Sequence, residues 1–270
     1  MKKNYRTLLA SCFLLLGMSS AIAQTYSAKT NVATLTKGAQ SGDAQAQFYL
    51  AGTFYDKQDY KNAALWYSKA AQQELALAQY NLAYLYEHGQ GVEQSYHTAA
   101  KFYKLAAEQN VASAQYNLAN MYFNGQGLRQ DDNIGLTWLE NAAEQGYALA
   151  QFDLAMFYYK GQFVKQDYVK AKDWFVKAAQ QNDPRAQFSL ALLYENGIGV
   201  KQDYLQAKAW YEKAAALKNP LAQLNLGIMY EQGKGVKQDL KKAKALYGDA
   251  CDNGEQRGCD YYKSLNQKGV

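Results

Sequence analysis

The dipeptide Ala-Gln returns at Ala46-Gln47, Ala78-Gln79, Ala114-Gln115, Ala150-Gln151, Ala186-Gln187 and Ala222-Gln223. The last five are spaced 36 residues apart, and the first gap is 32. Self-similarity at such a period constrains a chain more than any composition does. Each unit is one supersecondary element that buries its apolar face only against its neighbours, so the units must stack into an elongated array.

Counting each unit from the alanine of this dipeptide, further columns repeat. Position 5 is Leu50, Leu82, Leu118, Leu154, Leu190 and Leu226. Position 9 is Phe54, Tyr86, Tyr122, Tyr158, Tyr194 and Tyr230. Position 12 is Gly89, Gly125, Gly161, Gly197 and Gly233, while the first unit lacks four residues there. Position 25 is Trp66, Phe102, Trp138, Trp174, Trp210 and Leu246, and Ala-Ala closes most units. Apolar residues at positions 1, 5 and 8–9 share one face of a first helix, A. Gly-x-Gly then breaks it. Asp131, Asp167, Asp203 and Asp239 stand where an N-cap would open a second helix, B. Alanine, tryptophan and Ala-Ala at positions 22, 25 and 29–30 give helix B its apolar stripe. Pro184 and Pro220 mark the turn from one helix B to the next helix A.

The predicted fold is therefore all-α: a right-handed α/α solenoid of six helix pairs with capping helices at both ends. The units are 46–77, 78–113, 114–149, 150–185, 186–221 and 222–257. Residues 24–45 form an N-terminal segment with a capping helix over 30–41. Residues 258–270 form a C-terminal cap with a helix from Asp260 to Asn266. Residues 1–23 read as an export signal: Lys2, Lys3 and Arg6 precede an apolar run from Leu8 to Gly17, and Ala21-Ile22-Ala23 offers a cleavage site. Leu9-Ala10-Ser11-Cys12 resembles a lipidation box, but more apolar residues follow its cysteine. Removing 1–23 takes away three cations and no acid, so the net charge falls from +5 to +2. That balance supplies no broad footprint for nucleic acid. No later stretch is long and apolar enough to span a bilayer. An oxidising compartment follows, and the periplasm is the expected location.

Residues 186–221 carry Ala186, Leu190, Tyr194, Gly197-Ile198-Gly199-Val200, Asp203, Ala207, Trp210-Tyr211 and Lys213-Ala214-Ala215. This pattern resembles the Sel1-like repeat, a relative of the tetratricopeptide repeat, and the likeness runs over roughly 44–260. Position 6 is mostly alanine instead of the family's frequent glycine, which only Gly227 retains. Phe163 replaces a second loop glycine, and Asp132 stands where other units have Tyr168 or Tyr204. The segment from Ala250 to Cys259 resembles the disulfide-bearing stretch of cysteine-rich exported members, which implies a Cys251–Cys259 bond. One continuous helix would hold these cysteines about 12 Å apart; the register instead places them on consecutive helices. The resemblance also implies a protein-binding role without turnover. It points to an adaptor or assembly factor for an envelope machine such as a secretion system. The alternatives are an immunity protein that neutralises a toxic effector or, from another class, a secreted β-lactam-binding hydrolase.

The residues themselves show little chemistry. His88 and His97 lack His-Glu-x-x-His spacing, and no Gly-x-Ser-x-Gly, Walker or dinucleotide loop is present. The mature chain has no Ser-x-x-Lys or Lys-Thr-Gly. No catalytic residue, cofactor or metal is therefore expected. A partner, an extended segment or a helix, would meet the A helices lining the concave side. Positions 1, 5 and 8 read as core, positions 2, 6 and 9 as the joint between units, and positions 3, 7 and 10 as the groove. The groove residues are Tyr55, Tyr80, Tyr84, Tyr116, Asn120, Phe123, Phe152, Met156, Tyr159, Phe188, Leu192 and Ile228. Position 3 could instead pack against the adjoining repeat. Lys234, Lys237, Lys241, Lys242 and Lys244 form a late basic cluster, either a solvated face or a contact for an acidic partner.

Overall fold

In the computed structural model, residues 26–270 are described; the export signal read in 1–23 lies outside them. Every regular element among the described residues is a helix. A first helix, α1 (Val32–Gln40), precedes six antiparallel pairs: α2 (Ala44–Asp56) with α3 (Tyr60–Gln72), α4 (Ala76–His88) with α5 (Tyr96–Glu108), α6 (Ala112–Asn124) with α7 (Asp132–Glu144), α8 (Ala148–Lys160) with α9 (Tyr168–Gln180), α10 (Pro184–Asn196) with α11 (Tyr204–Ala216), and α12 (Pro220–Gln232) with α13 (Leu240–Asp252). Helix α14 (Gln256–Gln267) closes the array. Each helix packs on the one before and the one after it, the arrangement of an all-α solenoid.

Local chemistry sets these boundaries. The A helices of units 2 to 6 end on Gly89, Gly125, Gly161, Gly197 and Gly233, each left-handed with φ between 63 and 70°. The B helices begin on side-chain caps: Asp167 accepts from the N–H groups of Val169 and Lys170 at 3.0 Å, and Asp203 does the same for Leu205 and Gln206. Asp183 and Asn219 cap α10 and α12 ahead of Pro184 and Pro220. Asn31 caps α1. Helix α14 starts at Gln256, earlier than the expected Asp260. Glu255 accepts from the Arg257 N–H, and the buried Gly258 lets the helix lie against Ala250 and Tyr247.

The core repeats with the sequence. Ala and Leu at positions 1 and 5 are buried in every unit. The largest fully buried side chains lie one residue beyond the tryptophan column, at position 26: Tyr103, Phe175, Tyr211 and Tyr247, with Tyr67 and Leu139 in the remaining units. The tryptophans are half-buried. Lys69, Lys177 and Lys213 lie over the rings of Trp66, Trp174 and Trp210 at 4.2, 3.6 and 4.0 Å.

The Ala-Gln dipeptide proves to be the stitch between units. Each position-2 glutamine is buried and donates its amide to a carbonyl near the end of the preceding helix, as from Gln115 to Ala107 at 3.1 Å and from Gln151 to Ala143 at 3.0 Å. These carbonyls also accept a turn N–H, as Ala107 does from Asn110 and Ala143 from Gly146 at 3.0 Å, and the glutamine occupies their second lone pair. The glutamine's oxygen in turn accepts from position 32, as Gln79 does from Gln109 and Gln115 from Gln145. Unit 5 breaks the ladder: Leu217 occupies position 32, and the buried Oε1 of Gln187 has no partner.

Two departures from the repeat meet at the junction of units 3 and 4. A Cβ on Gly91, Gly127, Gly199 or Gly235 would run into the first helical residue of the preceding B helix: Tyr60, Tyr96, Tyr168 or Tyr204. The same register sets Phe163 opposite Asp132. Phe163 keeps the left-handed backbone, with φ 62°, and stacks its ring on Phe123 at 4.8 Å and against Phe157 at 4.9 Å. Gly135 replaces the usual buried alanine and makes room for Phe123, whose ring would lie 2.8 Å from an added Cβ.

Candidate binding face

All twelve expected groove residues are half-buried and sit on A helices. Position 3 packs within its own unit, against the position-26 ring of helix B. Tyr80 meets Tyr103, Phe152 meets Phe175 and Phe188 meets Tyr211, with centroids 5.7 to 5.9 Å apart. At the ends of the row the same position is fully inside, as Phe48 and Leu224. Tyr84 stacks on His88 at 4.0 Å. Tyr55 and Tyr159 stand edge-on to Tyr60 and Tyr168. Met156 rests on the core of unit 4, and Leu192 and Ile228 on that of units 5 and 6. Phe123 belongs to the cluster with Phe157 and Phe163. Packing covers part of each side chain and leaves the rest accessible.

A polar lattice, missed in the column-by-column reading, holds these rings. The hydroxyls of Tyr103, Tyr211 and Tyr247 donate to Glu87, Glu195 and Glu231, at position 10 of the same unit, over 2.5 to 2.6 Å. The Asn225 amide of the next unit donates to the Tyr211 hydroxyl at 3.0 Å. Asn81 and Asn117 bond Tyr67 and Tyr103 from the matching position 4. Burial, aided by the neighbouring glutamates, pushes the Tyr103, Tyr211 and Tyr247 hydroxyls far above their ordinary range, so they remain donors. A signal was available in the sequence. Position 10 is glutamate in units 2, 5 and 6, where position 26 is tyrosine; it is Phe123 or Tyr159 where position 26 is Leu139 or Phe175, and unit 1, with Tyr67 at position 26, departs by having Tyr55.

The middle of the row uses another device. The Tyr116 hydroxyl donates to Asp153 across two neighbouring A helices at 2.7 Å, with Asn120 beside it. Arg185 spreads over the Phe152 ring at 4.2 Å and bonds Asp183 at 2.6 Å. Burial raises the Asp153 carboxyl, while the Tyr116 bond and Arg185 pull the other way.

The Sel1 repeat model matches six times, over 39–75, 76–111, 112–147, 148–183, 184–219 and 220–255. The chain belongs to the Sel1 repeat family. Sel1 repeat proteins are protein-interaction scaffolds. A protective antigen of uropathogenic Escherichia coli with an SLR fold is similar at 29% identity and a TM-score of 0.75; the match covers 90% of this chain and 60% of that one. A Sel1 repeat protein from Oxalobacter formigenes is 33% identical at a TM-score of 0.71, with 77% of this chain and 85% of that one covered. This chain thus spans less than two thirds of the first of these. No curated protein matches it. The expected disulfide is present: Cys251 on α13 and Cys259 on α14 are bonded, with Cα atoms 4.7 Å apart. No helix among the described residues is long and apolar enough to cross a membrane. The late lysines are partly engaged. Lys242 donates to the Tyr230 hydroxyl, and Lys244 to Asn266 and to the carbonyl of Val270.

Proposed function

We propose that this Sel1 repeat protein is an exported, non-enzymatic adaptor that holds a segment of a protein partner along its A-helix face, in the assembly or regulation of a cell-envelope machine such as a secretion system. The carrying observation is the row of half-buried rings from Tyr55 through Phe188, continued by Leu192 and Ile228. Aromatic side chains supply large contact area with few rotors to freeze on binding. Here packing against helix B has already removed part of that freedom, which lowers the entropic cost of capture. The disulfide fits an oxidising compartment such as the periplasm.

The test is affinity capture from the native envelope, followed by mass spectrometry, with the full chain and its Tyr84→Ala plus Tyr159→Ala variant. Both rings lie on the accessible side of the core, so the helical spectrum and unfolding midpoint should stay near those of the parent. The envelope proteins held by the parent should be depleted from the variant. An unchanged set of captured proteins would remove the A-helix face as the binding surface.

A further inference from the structure

Charge is divided between the two helix sets. The A helices α2, α4, α6, α8, α10 and α12 carry five acids, Asp56, Glu87, Asp153, Glu195 and Glu231, against Lys160 and Arg185. The B helices α3, α5, α7, α9, α11 and α13 carry twelve lysines against eight acids. A nearly neutral chain therefore has one acidic, ring-bearing set of helices and one basic set. The acids on the A helices are held in place. Glu87, Glu195 and Glu231 each use one oxygen to accept from a buried tyrosine hydroxyl, and a carboxylate has room for further donors. The same face also shows how a cation sits on it: the chain's own Arg185 lies over the Phe152 ring, within the field of Asp153.

We infer that the A-helix face selects cationic segments of its partner. Lysine or arginine side chains would seat between the rings and Glu87, Asp153, Glu195 and Glu231, with the strongest hold at the consecutive units of Glu195 and Glu231. This rests on the A-helix face being the capture surface. Ring faces attract cations, fixed carboxylates attract them further, and like-signed segments are repelled. An acidic segment would meet the B-helix side instead.

The experiment pans the full chain against a displayed library of random dodecapeptides at low salt, then measures the selected peptides in solution. Recovered clones should be richer in Lys and Arg than in Asp and Glu. Glu195→Gln plus Glu231→Gln should bind them about tenfold more weakly, with a shallower salt dependence. Glutamine keeps an acceptor for Tyr211 and Tyr247, so the unfolding midpoint should hold. If that pair does not fold, Met156→Lys places a cation on the same face without touching the lattice and should weaken binding likewise. Acidic or neutral clones, or undiminished binding to the glutamine pair, overturn the charge preference. If such clones still release from Tyr84→Ala plus Tyr159→Ala, the capture face stands without its preference. Lys- and Arg-rich clones that bind that variant as tightly as the parent would overturn the capture face itself. A library that yields no clones would overturn both.

Discussion

At the scale of single residues, this fold is governed by where buried polar atoms find partners. Gln115 gives its amide to Ala107 and takes one from Gln145, so each group near that joint is matched. Gln187 lacks the second bond because Leu217 stands where other units place Gln73, Gln109, Gln145, Gln181 or Asn253. Leu217 is 45% exposed, so replacing it removes little packing. Leu217→Gln should therefore raise stability by about 1 kcal/mol, the typical net value of one added hydrogen bond. Urea unfolding reads this as a higher midpoint. A midpoint equal to the parent's would show that the Gln187 oxygen is already satisfied.

At the scale of elements, the loop between helices A and B is a steric device as well as a helix stop. Gly127 has φ 71°, and a Cβ there would collide with the backbone of Tyr96 in the previous unit. Gly146 also has a positive φ, of 88°, but nothing lies within 4 Å of its Cβ position. Gly127→Ala should cost about 3 kcal/mol, since the clash involves rigid backbone as well as strain. Gly146→Ala should cost only about 1 kcal/mol, from backbone strain alone. Comparing the two unfolding curves separates steric contact from conformational freedom; equal losses would contradict that separation.

At the scale of the molecule, each unit touches only its neighbours, so stability is approximately a sum along a line and loosens first at its ends. The disulfide sits at one such end, tying α13 to α14. Its loss through Cys251→Ala plus Cys259→Ala should cost roughly 2.5 kcal/mol by the loop-closure model. Amide exchange should accelerate in α13 and α14 and stay at the parent's rate in α6 to α9. Acceleration spread evenly over all units would instead mark the array as one cooperative block.

The period of the Ala-Gln dipeptide determined the six helix pairs, because a unit this short buries its alanines and leucines only by stacking. The aspartates and glycines at fixed offsets determined where the helices start and stop, because a cap and a left-handed turn act on the chain locally. The register also put Cys251 and Cys259 on consecutive helices. Side-chain direction and partnership across helices come instead from how the helices pack. Column reading gave the apolar stripe of helix B to the tryptophans, yet the position-26 rings are the ones fully enclosed, since that residue points between the two helices of its unit. It separated Phe163 and Asp132 as two irregularities, yet both belong to one junction. It treated position 10 as free groove surface, yet Glu87, Glu195 and Glu231 are held by tyrosines sixteen residues away. Such pairings depend on how two helices face each other, and a periodicity along one helix carries no information about that.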